Sequence, residues 1–300
     1  TIGSNNYITN YNYKTNTTSF DALGFVSYSK RVLMDSDFDR PKGESIYNGA
    51  FEIINHQYQY QTIDNKTIDR IESERFEFMG GSSLEYSYTY DGNGNITSIT
   101  KDGQRIHEYM YDSNNRLSNW KDVTNNLTTS YTYDSNGNMT YKTQSRIMPE
   151  GWLSPLFQKN YWYINDQLTG LNDTGNYQYI PCDTMGNPQK SISGLNYTWE
   201  QGRQLASASK PGLEITYTYN SDGIRTSKTI NGDTTTYTLA NNQITSMTVD
   251  DDLVYFRYDK DGKRVGLEYQ NSYYNYLYNI QGDVIGLSGI YGGLLYSYEY

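Results

Sequence analysis

Along most of this chain, side chains alternate in steps of two, and tyrosine fills the apolar positions far more often than any aliphatic residue. Tyr86-Ser87-Tyr88-Thr89-Tyr90 shows the pattern most clearly. Successive side chains of a strand point to opposite faces, so the rings share one face and the hydroxyls of Ser and Thr share the other. Both residue types suit a pleated, half-wet surface. A polar cluster then follows, as in Asp91 to Gly94, Asp134 to Gly137, Asn220 to Gly223, Asp259 to Gly262 and Asn279 to Gly282. Asp or Asn opens such a turn by bonding its own downstream backbone, and Gly accepts the positive φ that closes it. Four residues with Gly last fit a type I turn leading into a bulge, a common hairpin connection. Asn115, the residue type next most tolerant of that backbone, stands where Gly is missing. Ile96, Leu117, Met139, Ile244, Val265 and Val284 each begin a second strand after the turn. No stretch keeps a helical period, so the pattern predicts an all-β array of hairpins.

The unit recurs. The residue after the second aromatic falls at 91, 112 and 134 and, after a long gap, at 183, 200, 220, 240, 259 and 279, a spacing of about twenty residues on either side of the gap. Tyr90, Asp91, Gly94, Tyr111, Asp112, Tyr133, Asp134, Gly137, Tyr219, Gly223, Tyr258, Asp259, Gly262 and Gly282 are therefore read as structural turn and repeat positions. Each unit can bury its apolar face only against its neighbours, which overrules a domain count made from length.

The recurring Tyr-x-Tyr-Asp-x-x-Gly-Asn/Arg-Ile/Leu pattern resembles the YD repeat of bacterial Rhs and wall-associated proteins. The B and C components of insecticidal Tc toxins and the extracellular shell of teneurins share that repeat. Clear copies run over about 81–300, with degenerate ones at Phe20 to Gly24, Phe38 to Pro41 and Tyr58 to Tyr60. The resemblance implies a curved antiparallel sheet forming part of a spiral hollow shell. It further implies that the shell encloses a C-terminal toxin domain of the same polypeptide, next to flanking YD repeats. The chain begins at Thr1 and stops at Tyr300 inside a Tyr-x-Tyr strand, so a fragment without that toxin domain is expected. The implied role is structural and non-enzymatic, secreted or at the cell surface. The alternative is a surface adhesin whose aromatic rows bind a glycan or a protein.

Composition narrows this picture. Hydrophobic residues make up only 36% of the chain, while 34 tyrosines supply apolar area with a polar tip. A net charge of -10 provides no basic stripe and argues against nucleic acid as a partner. The one cysteine, Cys182, excludes an internal disulfide framework. No apolar run is long enough to span a membrane, and no signal peptide is visible.

Two regions depart from the period. Residues 1–80 lose the Gly turns and read either as diverged repeats or as a separate cap. Around 144–160, Pro149 and Pro155 predict a loop rather than an interior strand. Its Trp152, Leu153, Leu156 and Phe157 either cover the sheet edge or bind cargo or a neighbouring subunit.

Candidate chemistry is sparse. Asp35, Asp37 and Asp39 start like a calcium loop, but Arg40 and Ile46 stand where that loop needs Gly and Glu. A solvated turn is expected there, and a hairpin turn at Asp250 to Asp252. His56 and His107 lack zinc spacing and read as strand-surface residues, and Cys182 as a substitution in the second Tyr slot. The recurring Asp residues sit in equivalent turns, whereas a catalytic pair needs two unlike environments. No metal, cofactor or catalytic residue is expected.

Overall fold

The computed structural model describes residues 7–12, 15–22, 27–64, 66–173, 175–249 and 251–299. Leu23, Gly24 and Asp250, which belong to two of the motifs above, lie outside them. The described residues form 26 β-strands and no helix. The strands make two antiparallel sheets, of fifteen and eleven strands, each ordered as the chain runs. Between the last strand of the first sheet, Asn176–Tyr179, and the first of the second, Asn196–Glu200, the backbone ladder continues. Ile180 N–H donates to Thr169 O at 2.8 Å, Gln189 N–H to Pro181 O at 2.7 Å, and Tyr197 N–H to Gln189 O at 2.8 Å.

Turn chemistry dictates the register. Tyr131 pairs with Lys142 and Thr132 with Tyr141, and then a bulge shifts Tyr133 onto Met139. The same shift falls at Tyr219, Tyr258 and Tyr278, always on the aromatic before the turn. A bulge inserts one residue and increases local twist, so the repeat bends the sheet at regular intervals. On the hydroxyl face, threonines meet across the hairpin: Thr132 with Thr140 at 3.1 Å, Thr218 with Thr226 at 2.8 Å and Thr89 with Thr97 at 2.7 Å. That pairing explains why Thr or Ser separates the rings.

The chain divides into two compact units. Thr89–Thr100 and Gln104–Asn242 form one, a run of local hairpins with few fully buried apolar side chains, among them Leu171 and Ala208. The other joins Thr1–Tyr88 and Lys101–Gly103 to Gln243–Tyr300 and holds a true core. Tyr28, Ile53, Ile54, Phe76, Phe78 and Leu84 from its first part are buried, as are Val254, Phe256, Leu277 and Ile285 from its last. Each such side chain contributes about 1.5–3 kcal/mol relative to an exposed one. The two parts touch closely: Asn48 Nδ2 donates to Ile290 O at 3.2 Å, and the Tyr28 and Tyr273 rings lie 5.4 Å apart. A side chain at Gly292 would come within 2.0 Å of Ile53 O.

The segment at 144–160 is not the expected loop. Met139–Ile147 and Leu153–Ile164 are long paired strands, joined by a turn that Gly151 N–H closes on Met148 O at 2.8 Å. Pro155 stands opposite Ser145, where the register shifts between Gln144 and Ser145, and the strand on the other side pairs only with 159–164. At this bulged stretch, laddered on one side, the missing N–H of proline is tolerated. Within residues 1–80 the strands are longer than a repeat requires, as in Phe51–Ile63 paired with Lys66–Phe78.

Candidate functional site

The repeated turn is the most heavily hydrogen-bonded feature of the array. Asp91 Oδ1 accepts the N–H groups of Asn93 and Asn95, both at 2.9 Å, and Oδ2 accepts Asn95 Nδ2 at 2.9 Å. Asp134 does the same with Asn136 and Asn138, and Asp183 with Met185 and Asn187. At Asp112 the partner is Arg116, whose Nε donates at 2.7 Å and whose Nη1 reaches on to Asp134 O at 2.9 Å. Asn220, Asp259 and Asn279 serve the same way through Oδ1. Gly94, Gly137, Gly223, Gly262 and Gly282 all have φ between 79 and 93, and Asn115 has φ 59. Asn side-chain hydrogen bonds hold the carboxyls of Asp91, Asp134 and Asp183 below the usual range.

In six places the tyrosine before a turn latches the preceding unit. Tyr111 Oη donates to Ile96 O at 2.8 Å, Tyr133 to Leu117 O at 2.7 Å, and Tyr163 to Met139 O at 3.0 Å. Tyr219, Tyr258 and Tyr278 repeat it on Leu205 O, Ile244 O and Arg264 O at 2.9, 2.6 and 2.6 Å. Each acceptor lies on the strand that follows the earlier turn. Neither the phenols nor the turn carboxylates converge on a common cleft; each serves its own bend or the next unit. Trp152 and Leu153 are 53% exposed and Leu156 47%. Phe157 points the opposite way, lying 5.9 Å from Lys142 Nζ and 5.3 Å from Lys159 Nζ.

The second unit named above, built from both ends of the chain, contains a buried polar cluster that the sequence reading did not single out. His56 is 3% exposed and Glu74 is 0% exposed, so His56 is no strand-surface residue. His56 Nε2 lies 2.8 Å from Glu74 Oε2, and Nδ1 lies 3.9 Å from Glu44 Oε1. Lys30 Nζ meets Glu44 Oε2 at 2.7 Å and Asp259 Oδ2 at 3.8 Å. Glu74 Oε1 accepts Tyr88 Oη and, at 3.2 Å, the N–H of Ile280. Burial pushes the Glu44 carboxyl up, but the neighbouring His56 and Lys30 outweigh it and hold the pKa at about 2. Burial lowers that of His56, while the carboxyls of Glu44 and Glu74 beside it outweigh burial and raise it. Nearby, Arg257 lies over the Tyr28 ring and donates to Tyr274 O at 2.9 Å, and burial lowers its pKa to about 10. One signal was present in the sequence: His56 is in phase with Ile54, and Glu74 with Phe76 and Phe78, so both fall on the apolar face. His107 is also buried rather than on the surface, accepting from Trp120 Nε1 at 3.3 Å. Asp35, Asp37 and Asp39 form a hairpin turn in which Asp37 N–H donates to Asp35 Oδ1 at 3.0 Å. Among the described residues, no group of three or more His, Cys, Asp or Glu side chains is arranged to hold a metal ion.

Comparison with known proteins agrees with this geometry. The RHS repeat model matches residues 111–146. The tRNA3(Ser)-specific nuclease WapA of Bacillus spizizenii is 33% identical over 153 residues, covering 46% of this chain and 6% of that protein. The tRNA nuclease WapA of Bacillus subtilis strain 168 is 31% identical over 152 residues, with the same two shares. The chain thus spans only a small part of these relatives, and their nuclease activity is a property of the whole proteins. Crystal structures of TcdB2-TccC3-TEV and TcdB2-TccC3-Cdc42 superpose with TM-scores of 0.55 and 0.54 at 15% and 16% identity, over 95% of this chain and 18% of theirs. The chain thus carries an RHS repeat at 111–146 and shares the β-sheet fold of these structures.

Proposed function

We propose that this array is a wall segment of a secreted or cell-surface shell, and that it shields a toxin domain carried by the same polypeptide. The observation that carries the reading is the latch: Tyr111, Tyr133, Tyr163, Tyr219, Tyr258 and Tyr278 each give their hydroxyl to the backbone of the preceding unit. Such a surface is built for continuity over length. The likeness to the Tc-toxin fold and to WapA supports the toxin association. Contact with the shielded chain is assigned to the exposed Trp152, Leu153 and Leu156, because large exposed apolar groups in a cluster mark interaction surfaces.

Limited proteolysis of the full-length polypeptide tests this. A domain beyond the repeats should resist protease while the array is folded and become sensitive once the array is unfolded. Photocrosslinkers at Trp152 or Leu156 should capture that domain. Equal cleavage in both states, with no crosslink, would remove the shielding role.

A further inference from the structure

The buried charges of the unit built from both chain ends take no part in turns or latches, save Asp259, and they join segments far apart in sequence: Glu74 and Ile280 are separated by 206 residues. We propose that Lys30, Glu44, His56 and Glu74, faced by Asp259, Lys263 and the N–H of Ile280, form a proton-dependent clasp that holds the C-terminal hairpins of this unit on its N-terminal strands.

Geometry fixes the proton inventory. Glu74 Oε1 accepts from Tyr88 Oη and the Ile280 N–H, and Oε2 faces His56 Nε2; with Nε2 as the donor, both oxygens of the group have partners. The other ring nitrogen faces Glu44, and it carries a proton toward that carboxylate only when the ring is an imidazolium. The ring cannot swing away: it stacks on Phe76 at 3.7 Å and meets Tyr58 edge-on at 4.6 Å. The ionisable groups around it are Lys30, Glu44, Tyr58, Glu74, Tyr86 and Tyr88 on the N-terminal strands, and Asp259 and Lys263 on the opposing turn. Burial first, and then the neighbouring carboxylates, push the Tyr58 and Tyr86 phenols up, so both stay neutral. With His56 protonated, three cations oppose three carboxylates. Removing that proton leaves one carboxylate uncompensated in the interior, which is strongly unfavourable.

The direction of the pH effect follows. The raised His56 contributes stability fully below its unfolded pKa of about 6.5 and loses it as pH rises through the folded value. The depressed Glu44 contributes above its unfolded value and loses that contribution as pH falls toward about 2. The clasp is therefore tightest between the ordinary carboxylate and histidine values, about 4.5 to about 6.5, and weakens on the alkaline side as pH rises from there through the folded His56 value.

Hydrogen exchange on the full chain, corrected for intrinsic chemical rates, reads this directly. Between about pH 6 and about pH 9, protection at Ile280 and the flanking strands should fall, by the ratio of the His56 acid constants in the unfolded and folded states. Peptides spanning 127–147 should keep theirs. His56→Gln preserves a donor toward Glu74 but cannot titrate, so its protection should be flat across the range. An unchanged wild type, or a His56→Gln curve that follows the wild type, overturns the proposal. If that variant does not fold, exchange of the imidazole C2 proton in the wild type decides. A His56 midpoint above the ordinary histidine value supports the clasp, and one at or below it sinks it.

Discussion

At the scale of the residue, the turn carboxylate is worth more for the donors it collects than for its charge. Asp134 gathers three hydrogen bonds, yet Asn220 and Asn279 hold the same turn with an amide oxygen. Asp134→Asn should therefore lower the melting temperature only slightly at neutral pH, and Asp134→Ala clearly more. The carboxyl is held below its usual range, so its contribution is present above the unfolded value of about 4 and is lost as pH falls through the folded one. Melting curves should show wild-type stability dropping between about pH 5 and about pH 3, with a smaller drop for Asp134→Asn. Equal acid sensitivity of the two proteins would show that this turn does not sense the proton. The phenols work by the same logic of donors: Tyr133 gives its hydroxyl to Leu117 O and so ties the ring before its turn to the strand behind it.

At the scale of the element, the hairpin bend can be separated from everything around it. Gly137 has φ 93, and a Cβ there would meet nothing within 4 Å. Gly137→Ala should thus cost only left-handed backbone strain, about 1–2 kcal/mol. Gly137→Asn should cost less, because Asn115 occupies the equivalent corner at φ 59. Denaturant titration of the two variants checks the order, and a larger loss for Asn would mean that space, not backbone, limits the site. Such bends were legible in the sequence because all their physics lies within five residues, from Asp134 to Asn138. The strands at 153–164 were not, because the prolines exclude only an interior strand, and Pro155 falls on a bulged stretch with a ladder partner on one side. His56 was misread for a different reason. Its apolar phase was visible, but the register that sets it against Glu74 and Glu44 on neighbouring strands, and the Ile280 N–H that completes Glu74, was not.

At the scale of the molecule, the two units contrast in how their contacts are distributed along the sequence. In the unit of Gln104–Asn242, each strand finds its partner in the next hairpin. The other unit forms its core only when Thr1–Tyr88 meets Gln243–Tyr300, with contacts such as Asn48 to Ile290 that span 242 residues. The entropy of closing so long a loop grows only slowly with length, so the unit can be stable once formed. Its rate should still suffer, since distant contacts return nothing until the closure has already been made. The buried charges add to that barrier, because Glu74 and Lys30 must lose water before their far partners arrive. In pulse-labelled refolding, amides of the hairpins within 127–147 should become protected before Ile280 N–H and the strands around Ile53 and Phe76. Simultaneous protection would mean that the array folds as one cooperative body, with the local hairpins too weak to stand before the ends have met.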